Sequence, residues 1–169
     1  IALDLNNHVL RGDGDARDYG VLIEGYDGTV VKNGIIQNFH VGVLLNTSSR
    51  SSILENQIEH HSDSGVAVFG GSGNTLQDNL FLANSYYGAK IISGSGNQIL
   101  RNTFHENFDS GLFLQGSIGN VVAENIVTEK CMEWHCSLPE SCKSSSRKPC
   151  AEKFLEWPFI HSQFAQYGF

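Results

Sequence analysis

The sequence predicts an all-β solenoid, a stack of coils about 23 residues long, and three observations carry that prediction. Gly42, Gly65, Gly88 and Gly111 recur every 23 residues, and Asn33, Asn56, Asn79, Asn102 and Asn125 keep the same step. Two more polar columns share it: Asn74, Asn97 and Asn120, then Asn38, Asn84 and Asn107, with His61 filling the gap in the second. Aliphatic residues alternate between these columns with strand periodicity. In such a repeat a residue's neighbours lie one coil away, so each surface is a set of vertical columns and not a local motif.

Taking the elements in order, the first and third positions after each glycine are aliphatic. They are Val21 and Ile23, Val43 and Leu45, Val66 and Val68, Ala89 and Ile91, and Leu112 and Leu114. A second inward column is expected at Val30, Ile53, Leu76, Ile99 and Val122, and a third at Ile35, Ile58, Phe81, Phe104 and Val127. Each coil thus supplies three short strands, and stacking at about 4.8 Å pairs its backbone with the coils on either side. The asparagines fall at corners, where stacked amides can satisfy turn backbone that is otherwise buried unpaired. The glycines mark a corner that either lacks room for a Cβ or needs a positive φ. Leucine-rich repeats require a helical or 3₁₀ segment that has no counterpart here, and left-handed β-helices follow a shorter hexapeptide rhythm. A right-handed parallel β-helix of five to six coils remains.

The register ends near Lys130. All 4 cysteines, 3 prolines and 2 tryptophans fall at or after Cys131, which divides the 169 residues into a helix of coils over 1–130 and a tail over 131–169. An exposed solenoid end needs a cover, and the tail is expected to supply a disulfide-bearing cap with a short helix near Ala151–Trp157. Cys131, Cys136, Cys142 and Cys150 read as two disulfides of open connectivity. The rival is a zinc site with His135; the lack of a C-x-x-C pair speaks against it. An oxidising compartment, extracellular or periplasmic, follows. The start at Ile1, without Met or a signal segment, reads as a mature or truncated product. No apolar run reaches the length of a membrane span.

The formal charge of −7 sits wholly before Cys131, since acidic and basic residues balance in the tail. A chain this acidic, without basic clusters, is a poor match to nucleic acid. Polyanionic glycans suit it only if calcium bridges the charges.

The coil pattern is a glycine, alternating aliphatics, a Ser-x-x-Asn turn and two Asn-x-aliphatic units. It resembles the parallel β-helix repeat of the pectate-lyase-like superfamily over about residues 1–129, with IALDLNNHVLRGDG and GTVVKNGIIQNF as its opening coils. That superfamily includes polysaccharide lyases, mannuronan C-5 epimerases and a periplasmic copper-maturation family, so the resemblance implies fold more strongly than chemistry. It implies a site on the outer face of the strand after the glycine corner. Two outward columns lie there: Leu22, Leu44, Ala67, Lys90 and Phe113, then Glu24, Asn46, Phe69, Ile92 and Gln115. The epimerase signature, of Tyr-Gly-Phe-Asp-Pro-His type, begins as Tyr87-Gly88 does. Lys90 and Ile92 then stand where its Asp and His are required, so that site is absent.

Three functional readings follow. In the first, a glycan lies on the largely apolar outer face, with Leu44, Phe69, Phe113, Gln115 and Asn46 as contacts; a passive structural role belongs to the same class. In the second, the column Asp18, His40, Asp63, Tyr86 and Asp109 forms an acid/base set with Lys90. Lys90 is then the base and Tyr86 the acid on a uronate polymer, and Asp63 and Asp109 hold calcium. Some lyases of the superfamily use a lysine base. The plainer reading makes the aspartates caps of turn amides. In the third, the apolar outer face joins copies of the chain into a homo-oligomer. His60-His61 could bind a metal, but consecutive histidines point to different sides and His61 fits the asparagine column, so no resident metal or cofactor is expected.

Overall fold

The computed structural model describes residues 1–14 and 17–128, together with the backbone of Lys153–Phe154. The first coil holds β1 (Ala2–Asp4), β2 (Val9–Arg11) and β3 (Tyr19–Glu24), and the second holds β4 (Val30–Lys32), β5 (Ile35–Gln37) and β6 (Val41–Asn46). The third comprises β7 (Ser52–Leu54), β8 (Gln57–Glu59) and β9 (Ser64–Phe69), and the fourth β10 (Thr75–Gln77), β11 (Leu80–Leu82) and β12 (Tyr87–Ile92). The fifth comprises β13 (Gln98–Leu100), β14 (Thr103–His105) and β15 (Ser110–Gln115), and β16 (Val121–Ala123) and β17 (Ile126–Thr128) begin a sixth. Each strand pairs in parallel with its counterpart one coil away, giving sheets ordered β1-β4-β7-β10-β13-β16, β2-β5-β8-β11-β14-β17 and β3-β6-β9-β12-β15. The fold is a parallel β-helix, as the sequence predicts.

The core is a set of vertical files. Val31, Ile53, Leu76 and Ile99 form one, and Ile36, Ile58, Phe81 and Phe104 another, all fully buried. The Phe81 and Phe104 rings stack at 4.8 Å and 6°, a near-parallel geometry set by the coil spacing.

Two expected core positions are shifted by one residue. Val31, not Val30, pairs with Ile53, and Ile36, not Ile35, pairs with Ile58. The step from the second coil to the third is therefore 22 residues along these sheets. The step returns to 23 at the third sheet, where Val41 pairs with Ser64, because the corner before it spans 38–40 in the second coil and 60–63 in the third. A one-residue slip exchanges faces, and the doublets Val30-Val31 and Ile35-Ile36 offer an aliphatic residue in either phase.

The same slip moves Asn33 and Asn38 out of the asparagine ladders. Both adopt left-handed backbone, with φ of 59° and 60°, in file with Glu55 and His60, whose φ values are 54° and 56°. Gly34 and Phe39 take the ladder positions: their N–H groups donate to Asn56 Oδ1 and His61 Nδ1, both at 3.1 Å. Asparagine tolerates left-handed backbone better than most residues, so both phases again suit the same residue type.

The ladders themselves are continuous. The backbone N–H groups of Asn56, Asn79 and Asn102 donate to the next coil's Oδ1 at 3.0, 3.0 and 2.8 Å. The amide nitrogens of Asn79, Asn102 and Asn125 donate back to the carbonyls of Ile53, Leu76 and Ile99, at 2.8, 2.8 and 2.7 Å. A parallel file joins Ser51, Asn74, Asn97 and Asn120, each N–H meeting the next Oδ1 at 2.9 Å. Asn56, Asn74, Asn79, Asn102 and Asn125 thus each satisfy one donor and one acceptor of corner backbone, and among the described residues no buried side-chain polar atom lacks a partner. At Gly42, Gly65 and Gly88 the constraint is space and not positive φ. A Cβ there would stand 2.6 Å from the next glycine's carbonyl oxygen.

Lys153–Phe154 forms β18, antiparallel to Ile126–Val127 of β17, where a short helix was expected. The last parallel strand offers an unpaired edge, and a strand satisfies it as a helix cannot. The four cysteines, and the expected disulfides or zinc site, lie outside the described residues.

His61 shows how strictly the ladder dictates chemistry. Its Nδ1 accepts from the Phe39 N–H, and Nε2 lies 3.1 Å from the Ile36 carbonyl. These are the two tasks of an asparagine side chain, and the tautomer that performs both carries its proton on Nε2. Desolvation outweighs its hydrogen bonds to Phe39 and Ile36 and lowers the His61 pKa from 6.5 to about 4. The unfolded chain therefore takes up a proton at a higher pH than the folded one, and stability is lost as pH falls from about 6.5 towards 4, by about 3 kcal/mol in all. His61→Asn keeps both hydrogen bonds and removes the proton site. Urea unfolding at pH 7 and pH 4.5 should show a pH-dependent loss about 2.5 kcal/mol smaller in the variant. An identical loss in both proteins contradicts the assignment.

Candidate functional site

The outer face of the third sheet carries the candidate residues, because alternation along its strands turns them outward in register. One row is Leu22, Leu44, Ala67, Lys90 and Phe113, and the next is Glu24, Asn46, Phe69, Ile92 and Gln115. A third row, on the other side of Lys90, is Tyr19, Val41, Ser64, Tyr87 and Ser110. The polar corner column stacks beside them. The N–H groups of Asp63, Tyr86 and Asp109 each donate to the carbonyl one coil below, His40, Asp63 and Tyr86, at 2.9 Å.

Lys90 is the centre of the face. Its ammonium pairs with the Asp63 carboxylate, and the two side chains are only 14% and 17% exposed. The Ser64 hydroxyl donates to the same carboxylate oxygen at 3.2 Å. Lys90 Nζ also lies 5.6 Å from the Phe69 ring centre and 5.9 Å from that of Tyr87, within cation–π reach of both. Tyr87 stacks on Phe113 at 4.9 Å and 27°. The phenol of Tyr87 donates to Asp109, and this hydrogen bond, reinforced by desolvation and nearby carboxylates, raises the Tyr87 pKa above 10.0. Lys90, Asp63, Ser64, Phe69, Tyr87, Phe113 and Asp109 are thus one constellation across three coils.

The other expected residues are placed differently. Tyr86 is 52% exposed and its ring meets Tyr87 at 6.3 Å. His40 is engaged by other partners, its ring Nδ1 3.0 Å from the Ser62 hydroxyl and its backbone N–H donating to Asp18 at 2.7 Å. Asn46 donates to Glu24 at 2.8 Å, and Gln115 is exposed at the end of its row. Leu44 and Ala67 are not an open apolar patch: with Val41 they form a small buried cluster against which Phe69 packs. His60 and His61 do not converge, since His61 is fully buried in the ladder.

Chemically, an ammonium paired with a carboxylate between two rings offers charge and N–H donors and not a free lone pair. Calcium does not fit the aspartates. Asp63 is engaged by Lys90 and Asp109 by Tyr87, and the two lie two coil steps apart, about 10 Å, twice what a shared ion with oxygen contacts near 2.4 Å allows. Among the described residues no three His, Cys, Asp or Glu side chains gather as a ligand set.

Tyr87 and Ser64 were not among the residues expected from the sequence. Strand alternation alone puts the residue before each corner glycine on the inner face, and only the break in pairing at the glycine turns Ser64 and Tyr87 outward.

A stack of parallel coils with its polar constellation on one outer sheet face defines a β-helix protein of the solenoid class. A family model described as "Right handed beta helix region" matches residues 5–138, and the chain belongs to that family. Among solved structures it is similar to a double mutant of the periplasmic alginate epimerase AlgG, at 16% identity and a TM-score of 0.52. The alignment covers 66% of this chain and 34% of that one, so the chain spans about a third of the epimerase's length. At that identity the likeness is one of fold. No curated protein matches the chain.

The Tyr87–Asp109 hydrogen bond has a direct readout. Asp109→Asn removes the charge that holds the phenol protonated, so the Tyr87 titration midpoint should fall towards 10.0, the ordinary tyrosine value. NMR titration of ring-labelled tyrosines measures it; an unmoved midpoint means that Asp109 is not the partner.

Proposed function

We propose that this β-helix binds carbohydrate through the outer face of its third sheet around Lys90, in an extracellular or periplasmic setting. The observation that carries the reading is the Lys90–Asp63 pair set between the rings of Phe69 and Tyr87, with Phe113 stacked beyond. Sugar rings present apolar C–H faces and hydroxyl edges, and a surface that places aromatic rings beside fixed donors and acceptors matches both. The fold likeness to a periplasmic alginate epimerase is compatible with this reading. So is the absence of the epimerase signature, because binding needs no proton-transfer pair.

The same contacts weigh against a lyase-type reaction on a uronate. Lys90 would need an unshared nitrogen pair to take a proton, yet it is committed to Asp63. An apolar homo-oligomer interface is also less favoured, because Leu44 and Ala67 are already covered.

Titration calorimetry against soluble polysaccharides tests the proposal. Binding to at least one polymer is expected, weakened about tenfold in Phe113→Ala, which removes a ring at the rim and about 1.4 kcal/mol of contact. Equal affinity in the variant, or no heat with any polymer, removes the proposed face.

A further inference from the structure

Lys90 is the central cation of the face, and Asp63, at the corner one coil below, is its partner. The corner before the third sheet holds four residues in the third, fourth and fifth coils, and Asp63 stands there in file with Tyr86 and Asp109 of the coils that follow. Its carboxylate reaches diagonally across to Lys90, 27 residues on, and the Ser64 hydroxyl steadies it. The ammonium is therefore satisfied within the protein, at a position little exposed to solvent.

We infer that this subsite accepts neutral, hydroxyl-bearing sugars and excludes uronates, because Asp63 occupies the place from which a ligand carboxylate would reach Lys90. This rests on the carbohydrate-binding reading and names its substrate class. A uronate carboxylate is acceptor-only and negatively charged. To meet Lys90 it must displace Asp63, leaving that carboxylate unpaired, or sit beside it as a second anion. Either course is unfavourable at this face, because a like-charge contact is repulsive and little screened at a position so little exposed to solvent.

Neighbouring charges do not relieve it. Asp109 lies on the far side of Tyr87, and Asp18 stands further down the corner column, where the His40 N–H donates to it. Glu24 accepts from Asn46 in the adjoining row. A sugar hydroxyl meets none of these objections, because it both donates and accepts. It can give its proton to a free lone pair of Asp63 or Asp109 and accept one of the remaining N–H groups of Lys90, with the ion pair undisturbed. Phe69, Tyr87 and Phe113 supply the apolar contact that neutral sugars need.

Affinity electrophoresis tests this with two sets of polymers: neutral glucan, mannan and xylan, and alginate and polygalacturonate. The intact protein should be retarded by at least one neutral polymer and by neither uronate. Asp63→Asn, which keeps the side-chain shape and frees the Lys90 charge, should gain uronate binding at least about tenfold, and Lys90→Met added to it should abolish the gain. Uronate retardation of the unaltered protein overturns this inference and leaves the carbohydrate reading standing. Persistent neutral binding with no uronate gain in a folded Asp63→Asn does the same. Unchanged mobility on every polymer overturns the carbohydrate reading itself. The unaltered protein decides the first of these without any variant.

Discussion

The structure depends on one constraint: the corners of every coil carry backbone N–H and C=O groups that face the interior and are not paired by the sheets. Burying such groups unpaired costs about 1–3 kcal/mol each, which no solenoid of short strands can tolerate at every turn. The chain meets the demand with side chains from the adjacent coil. Asn79 and Asn102 do this at one corner, Asn74 and Asn97 at another, and Asn84 and Asn107 at a third. Because each link joins residues 23 positions apart, it fixes the coil length as firmly as the strands do. His61 belongs to this system as an asparagine in another form, and its acid sensitivity follows from the burial that the position imposes.

Fixed register is also what makes an outer surface. Once Ser64, Tyr87 and Ser110 stack, and Ala67, Lys90 and Phe113 stack beside them, the separation of any two side chains follows from coil spacing and strand rise. The Lys90–Asp63 pair is a diagonal across one coil step, and the Tyr87–Asp109 hydrogen bond is another. These two oblique contacts, one charged and running to the coil before, one phenolic and running to the coil after, bring polar groups to the edges of three aromatic rings. The ladder inside and the constellation outside are consequences of the same periodicity.

The fold was legible in the sequence because four columns share one period, and neither the glycine spacing nor Phe81 above Phe104 depends on tertiary detail. The phase of the second coil was not legible. Val30-Val31 and Ile35-Ile36 are doublets, and Asn33 and Asn38 suit both a ladder and a left-handed corner, so a one-residue slip left no trace in residue type. Asp63, Lys90 and Asp109 could be placed on one face by counting. Their pairings could not, because columns give vertical neighbours while these contacts run obliquely between a corner and a strand. Tyr87 escaped for a related reason: the corner glycine interrupts the alternation, so the residue before it does not look like part of the outer strand. Aliphatic columns likewise could not say that Leu44 and Ala67 are covered, since that depends on how Phe69 packs against them.

Native-state hydrogen exchange at the corner asparagines tests the central claim most directly. If side-chain amides of the next coil hold the corners, the backbone amides of Asn56, Asn74, Asn79, Asn97 and Asn102 should exchange as slowly as those of Ile58, Leu76 and Phe81 in the strands, opening only with global unfolding. Exchange of those asparagine amides at rates typical of solvent-facing turns, while the strands stay protected, would contradict it.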